Sequence, residues 1–249
     1  MKAPTTMPAA ALACFLALSC ASAGGHAPGY SPTFDFTPPS AAVPGASGVT
    51  LALVSAGYSQ TQPWTRVQPF SALSASLGAD FEELLTARGF SVKGPFRSYE
   101  EMVFPDKQAS DLVLVPNLDL SVSVQDVRQA KVELLTGKIK YKGTAVIGGR
   151  VNLWLSESLT GTRMWSKSIP VVQASVPWES QTWRSKNEAF AEADVYADRG
   201  FAEAVGPTLE RLYAETLRTA WAYLDPSEVQ LVRGQAQDVK KRAVFGARP

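Results

Sequence analysis

Apolar residues recur at helical spacing in two stretches of this chain, and each stretch predicts an amphipathic helix. The first covers residues 71–88, and Gly89 follows as a natural helix stop. Its apolar face is formed by Leu73, Leu77, Phe81, Leu84 and Leu85. The second begins at Pro207 and keeps one apolar stripe until Asp225-Pro226 breaks the chain. Ser227 is then expected to cap a final charged helix.

Runs of β-branched residues and period-two alternation predict strands between these helices. The predicted strands are 49–54, 90–92, 111–124, 144–156 and 163–172. The last two form a hairpin, because residues 159–162 (LTGT) supply the glycine that a tight turn requires. Gly148-Gly149 predicts a bulge or a close backbone approach within this hairpin.

These elements together predict one α+β domain. It has a mixed, largely antiparallel sheet that contains a long hairpin. An early amphipathic helix and a long C-terminal helix pack against this sheet.

The N-terminus has the pattern of an export signal over residues 1–23. Lys2 precedes an uncharged apolar run, 9–18, which is too short to span a bilayer of roughly 30 Å. Residues 16–20 (LALSC) form a relaxed lipobox, which predicts cleavage before Cys20 and a lipid anchor on it. Residues 21–23 (ASA) alternatively form an A-x-A site, which predicts cleavage after Ala23 and no anchor. Lipidation is the favoured interpretation, because the chain has no cysteine outside this signal.

Residues 24–48 are dense in glycine, proline, alanine and serine, and they contain one charge, Asp35. This composition predicts a flexible tether, which would hold a domain about 25–30 Å from a membrane. The folded domain is predicted to cover residues 49–249.

Composition removes most catalytic chemistry. Cys14, Cys20 and His26 are the only cysteines and histidine, so the remaining chain lacks a Cys/His metal cluster, a Cys–His dyad and a Ser–His–Asp triad. Carboxylates remain, but Glu157 is expected to be solvated beside the hairpin turn. The net charge of +1 gives no case for nucleic-acid binding. We therefore expect a protein that is not an enzyme and that uses no metal or cofactor.

Two groups of residues suit ligand binding. Trp178, Trp183 and Arg184 lie in a polar, turn-like segment, where indole faces can stack on sugars and a guanidinium can pair with a carboxylate. Alternatively, one or both tryptophans close the end of the core. Lys138, Lys140 and Lys142 belong to a basic stretch, 128–142, which can meet anionic glycans or lipid headgroups or can form a solvated face.

The order of these helices and strands along the chain resembles that of the neuraminyllactose-binding hemagglutinin lipoproteins, also called the flagellar sheath adhesin family. The resemblance rests on residues 81–92 (FEELLTARGFSV), 151–169 (VNLWLSESLTGTRMWSKSI), 208–224 (TLERLYAETLRTAWAYL) and 238–242 (DVKKR). The compact Lys/Arg-rich motif proposed for sialic-acid binding in that family is not reproduced. A looser pattern of Arg128, Lys131 and Lys138-Lys140-Lys142 stands in its approximate place.

The resemblance implies a non-enzymatic lipoprotein of the bacterial cell envelope that is lipid-anchored at the outer membrane and binds sialylated glycans. The alternative is a periplasmic structural or assembly lipoprotein whose partner is another envelope protein.

Overall fold

A mixed β-sheet with helices packed on its apolar face organises the structure, a computed structural model that describes residues 32–185 and 191–245. The described strands are β1 (Thr50–Val54), β2 (Gly57–Tyr58), β3 (Ser91–Phe96), β4 (Leu112–Val132), β5 (Lys138–Glu157), β6 (Arg163–Glu179) and β7 (Arg184–Ser185). The described helices are α1 (Phe70–Ala87), α2 (Phe104–Ala109), α3 (Glu192–Tyr196), α4 (Arg199–Tyr223) and α5 (Pro226–Phe245).

The sheet runs in the order β3-β1-β4-β5-β6, with β2 added to β4 and β7 added to β5. β1 is parallel to β3 and β4, whereas the β4–β5 and β5–β6 pairs are antiparallel. The predicted α+β class and the mixed, largely antiparallel sheet with its long hairpin are therefore confirmed. The short parallel part follows from the β1–α1–β3 connection, because a helix between two strands favours parallel pairing.

Alternation along the strands divides the apolar residues between two faces. Leu51, Leu53 and Leu114 face the main core, where they join buried residues of α1 and α4 such as Phe81 and Leu217. On the opposite face a smaller cluster consists of Ala52, Val54, Met102 and Val113. No helix in the described part of the chain is long and apolar enough to cross a membrane.

The central strands extend well beyond their predicted ends. β4 continues to Val132 and β5 begins at Lys138, so the basic stretch 128–142 forms the far end of a second hairpin. We call Glu133–Gly137 the hairpin tip, and we call the end of the sheet that carries it the distal end. The tip turn is closed by Gly137 N–H, which donates to the carbonyl of Glu133 at 2.8 Å.

The Gly148-Gly149 prediction is confirmed. The β5–β6 register shifts between Ile147 and Gly149, and Gly149 has φ +128°. A Cβ on Gly149 would lie 2.2 Å from the carbonyl oxygen of Asp119, so the neighbouring strand approaches too closely for any side chain.

Two helix starts differ from those predicted. α4 begins at Arg199 because the Asp198 carboxylate accepts from Gly200 N–H at 2.8 Å, and Pro207 lies inside the helix. α5 begins at Pro226, and its capping acceptor is the Asp225 carboxylate, which receives Ser227 N–H at 2.9 Å. The prediction that Ser227 is the cap was therefore wrong, because Ser227 lies inside α5 and its hydroxyl also donates to the Asp225 carboxylate.

The described part of the predicted tether contacts the domain. Thr33 N–H donates to the Glu210 carboxylate at 3.0 Å, and the rings of Phe34 and Tyr213 are 5.1 Å apart. Further along, Ala42 N–H donates to the carbonyl of Ala87 at 2.8 Å. The packed chain thus begins before residue 49. The predicted export signal, Cys20 and residues 24–31 lie outside the described residues.

Candidate functional site at the distal end of the sheet

The pairing of strand β7 with β5 brings four of the predicted binding residues together. β7 pairs antiparallel with the first residues of β5, so that Ser185 lies opposite Lys138 and Arg184 lies opposite Ile139. Lys138, Lys140, Trp183 and Arg184 therefore meet at the distal end, although about forty positions separate the two segments in the sequence. We call these four residues the basic patch.

Trp183 provides the exposed aromatic face of the basic patch. The residue is 40% exposed, and Lys140 Nζ lies 5.0 Å from the centroid of its ring. A cation held over the indole leaves the pair on the surface with a combined apolar and positive character. Such a pair suits a ligand that offers both a flat apolar face and a negative charge.

The Arg184 guanidinium is less available for ligand binding than its position in the sequence indicates. Its Nη1 donates to Asp194 Oδ2 at 2.6 Å, and Nη2 donates to the Asp194 carbonyl at 3.4 Å. The Arg184 side chain is only 21% exposed. Bidentate pairing with a ligand carboxylate would therefore require Asp194 to move away.

Trp178 belongs to the core. It lies in β6 rather than in a turn, it is 4% exposed, and its ring meets Phe201 edge-on at 5.9 Å. Its indole Nε1 has no hydrogen-bond partner among the described residues. The interpretation that a tryptophan closes the end of the core is thus correct for Trp178, whereas Trp183 is at the surface.

Lys142 lies one step away from the basic patch. It is opposite Glu179 in the β5–β6 register, and Glu179 also pairs with Lys131 at 3.2 Å. A cavity of about 530 Å³ lies here, between Lys142, Arg128 and the buried Trp178. The cations of the stretch 128–142 are therefore divided between the basic patch and this neighbouring cavity.

A larger cleft, of about 890 Å³, was not foreseen from the sequence. It is lined by residues of α3, the three long strands and the loop before α1. Its polar groups include Arg150, which binds Asp119 at 2.9 Å, and Tyr196, which donates to Glu192 at 2.5 Å. Burial, and then the Glu192 carboxylate, raises the pKa of the Tyr196 hydroxyl, which stays a neutral donor. No local sequence signal joins these residues, because they come from distant segments.

Glu157 corrects another expectation. It is fully buried rather than solvated, and its carboxylate accepts from Leu159 N–H at 2.9 Å and from Thr160 N–H at 2.7 Å. The side chain thus folds back to hold the hairpin turn. Among residues 32–185 and 191–245, no group of His, Cys, Asp or Glu has the arrangement needed to hold a metal ion.

Comparison with solved structures identifies the fold. The chain is similar to a neuraminyllactose-binding hemagglutinin homolog from Helicobacter pylori, with a TM-score of 0.53 and 14% identity over 81% of this chain and 98% of that one. Weaker similarities include a Xanthomonas campestris protein (TM-score 0.30, 19% identity, 77% and 95% of the two chains) and a Neisseria meningitidis lipoprotein (TM-score 0.24, 16% identity, 55% and 88%).

No family model matches the sequence, and no curated protein matches it. The similarity at such low identity establishes the fold alone, because one fold can carry many functions.

Proposed function

We propose that this protein is a non-enzymatic lipoprotein of the bacterial cell envelope, anchored through Cys20 and acting by binding. The observation that carries the proposal is the combination of an export signal ending in a relaxed lipobox with a fold similar to the hemagglutinin homolog. The anchor would place the domain at the outer membrane, with the periplasm as the alternative compartment.

The ligand proposed first is a sialylated glycan bound at the basic patch. An indole face stacks on the apolar side of a sugar ring, and Lys138 and Lys140 supply positive charge for the sialic-acid carboxylate. The Lys140–Trp183 pair supports this proposal because it already holds both functions 5.0 Å apart. Arg184 is assigned a positioning role, since its guanidinium is held by Asp194.

The test is a titration of the chain from Gly24 onwards with sialyllactose and with lactose. Selective binding of the sialylated sugar, weakened at least about tenfold in Trp183→Ala and in Lys140→Ala, is expected. Lys241→Ala is the matched control, because Lys241 is an exposed lysine of α5. Its neighbour Lys240 donates to the Ser110 carbonyl at 3.2 Å, just before β4 begins and away from the distal end. Absence of binding at millimolar sugar would contradict the glycan proposal and leave the lipoprotein proposal standing.

The second candidate ligand is another envelope protein, and the outer edge of β6 favours it. Among the described strands β6 pairs only with β5, and Val172 on this strand is 83% exposed. An unpaired edge can accept a strand from a partner. Protection of the protein from protease added to intact cells would support this inward-facing version over an adhesin.

A further inference from the structure

The hairpin tip carries two leucines that the fold does not use. Leu134 is 95% exposed and Leu135 is 98% exposed, and Val132 beside them is half exposed. The turn that presents them is fixed, because Glu133 N–H donates to the Lys138 carbonyl and Gly137 N–H donates to Glu133, both at 2.8 Å. The leucines are thus held out in water by an ordered turn.

Cations and an aromatic ring surround this apolar point. Lys131 and Lys138 are exposed on the strands behind the tip, and Lys140 follows with Trp183 beside it. This order matches the layers of a bilayer surface. The leucines at the end correspond to the hydrocarbon, and the indole and lysines behind them correspond to the interface and its anionic headgroups.

We propose that the hairpin tip docks on an anionic phospholipid bilayer, with Leu134 and Leu135 entering the hydrocarbon boundary and with Lys138 and Lys140 meeting headgroup phosphates. The apolar area of two leucines is on the order of a few hundred Å². That area is far below the roughly 1,200–2,000 Å² of a stable protein interface, whereas a bilayer needs no matching surface.

The described N-terminal segment, residues 33–42, runs towards the distal end, which is the direction that one membrane shared by the tip and the proposed anchor requires. The N-terminus of α4 is at the distal end, where Asp198 accepts from Gln181 N–H at 2.9 Å. The C-terminus of α4 is at the other end, where Arg88 Nε donates to the Trp221 carbonyl at 3.0 Å. Ala42 N–H bonds to Ala87, the residue before Arg88, and Thr33 N–H bonds to Glu210 in the middle of α4. The segment that leads from Ala42 back to Thr33 therefore runs towards the distal end.

The lengths agree with this placement. Ile147 of β5 and Arg211 of α4 line the same cavity, and Ile147 is paired with Val122 of β4. Thr33 is bound to Glu210, the residue before Arg211. Measured along the strands, Thr33 therefore lies near Val122. The tip lies about 35–40 Å beyond Val122 along β4. Extended chain from Cys20 to residue 32 spans at most about 40 Å. Tip and anchor can therefore reach one membrane, and this step alone rests on the proposed lipidation.

Two attachments to one membrane reinforce each other. A single acyl or apolar contact binds a bilayer weakly and reversibly, whereas a second contact acts at a high effective concentration. The domain would then lie against the membrane at a fixed orientation instead of turning freely on its anchor.

An environment-sensitive fluorophore on Leu134→Cys tests the docking in the processed full protein. In either processed form that the sequence predicts, this thiol is the one open to labelling, because Cys20 is acylated or removed. In vesicles of phosphatidylglycerol and phosphatidylethanolamine, emission is expected to shift to the blue and to become protected from aqueous iodide. The matched control is Leu231→Cys, an exposed leucine of α5 whose label should stay in water.

Variants separate this proposal from the others. Leu134→Ser with Leu135→Ser is expected to lower vesicle partitioning of the unlipidated Cys20→Ala protein at least about tenfold. Lys138→Glu with Lys140→Glu should weaken partitioning into anionic vesicles but not into phosphatidylcholine vesicles. A label at residue 134 that stays as exposed as the one at residue 231, or that is protected only by added envelope proteins, overturns the proposal. Loss of acylation alone is expected to raise the vesicle concentration needed for the blue shift without abolishing it, because the tip then binds without the anchor.

Discussion

Tyr213 Oη donates a hydrogen bond to Asp80 Oδ2 at 2.5 Å, which fastens α4 to α1 on the apolar side of the sheet. The two residues are 133 positions apart in the sequence. Phe34 packs on the same tyrosine ring, so the contact also secures the N-terminal segment.

Tyr213→Phe is expected to lower the free energy of unfolding by about 1–2 kcal/mol, because the half-buried Asp80 carboxyl loses a donor. Urea denaturation followed by circular dichroism measures the change. Tyr223→Phe, on the same helix and half-buried, is the control and should stay within about 0.5 kcal/mol of the parent. Equal effects of the two variants would show that the Tyr213–Asp80 bond is not a stabilising contact.

Asp80 also predicts a pH dependence. Burial, the largest influence, raises the pKa of the Asp80 carboxyl above its usual value, despite the lowering effect of Tyr213. A raised folded-state pKa means that the folded state holds its proton more tightly than the unfolded state. The contribution of Asp80 to stability is therefore present below the unfolded pKa and is lost as pH rises through the folded pKa.

Asp80→Asn should abolish that loss while keeping an acceptor for Tyr213. The stability of this variant relative to the parent is expected to increase between about pH 3 and about pH 6. Urea midpoints over this range provide the measurement, with Glu82→Gln on the exposed side of α1 as the control. A stability difference between Asp80→Asn and the parent that is constant with pH would refute the assignment.

Gly149 and Gly148 form a matched pair for testing the bulge. Gly149→Ala places a methyl group against the Asp119 carbonyl at a positive φ, and we expect a loss of more than about 2 kcal/mol. Gly148→Ala meets Gln173 at an ordinary 3.6 Å and should cost less than about 1 kcal/mol. Thermal or urea unfolding of both variants tests the order, and a reversed order is the contradicting result.

Two hairpin turns contain a glutamate, and only one is predicted to matter for stability. Glu157→Ala removes a buried side chain and leaves the N–H groups of Leu159 and Thr160 without their acceptor, at an expected loss of about 1–3 kcal/mol. Glu133→Ala in the exposed hairpin tip should change stability by less than about 1 kcal/mol. Comparable losses in both variants would mean that burial does not distinguish these turns.

Much of the fold was predictable because its signals are local. The stripe of α1, the glycine of the LTGT turn and the alternation in β5 and β6 each lie within a short window. Gly149 was predictable for the same reason, since two glycines inside a strand pattern indicate a close approach.

The remaining features depend on residues that are distant in the sequence. β7 joins Trp183 and Arg184 to Lys138 and Lys140 through strand pairing, and no local pattern of residues 183–185 indicates that partner. The burial of Trp178 follows from Phe201 of α4, whose start was predicted too late. Glu157 was misplaced because a charged residue beside a turn is usually solvated, whereas here the turn itself supplies its donors.

Acyl labelling in cells shows whether Cys20 carries the proposed lipid anchor. Cells that express the protein are grown with a labelled fatty acid, and the parent is compared with Cys20→Ala. We predict label on the parent, none on the variant, and a shift of the variant from the membrane fraction to the soluble fraction. An unlabelled parent whose fractionation matches that of Cys20→Ala would contradict the lipoprotein account and favour cleavage after Ala23.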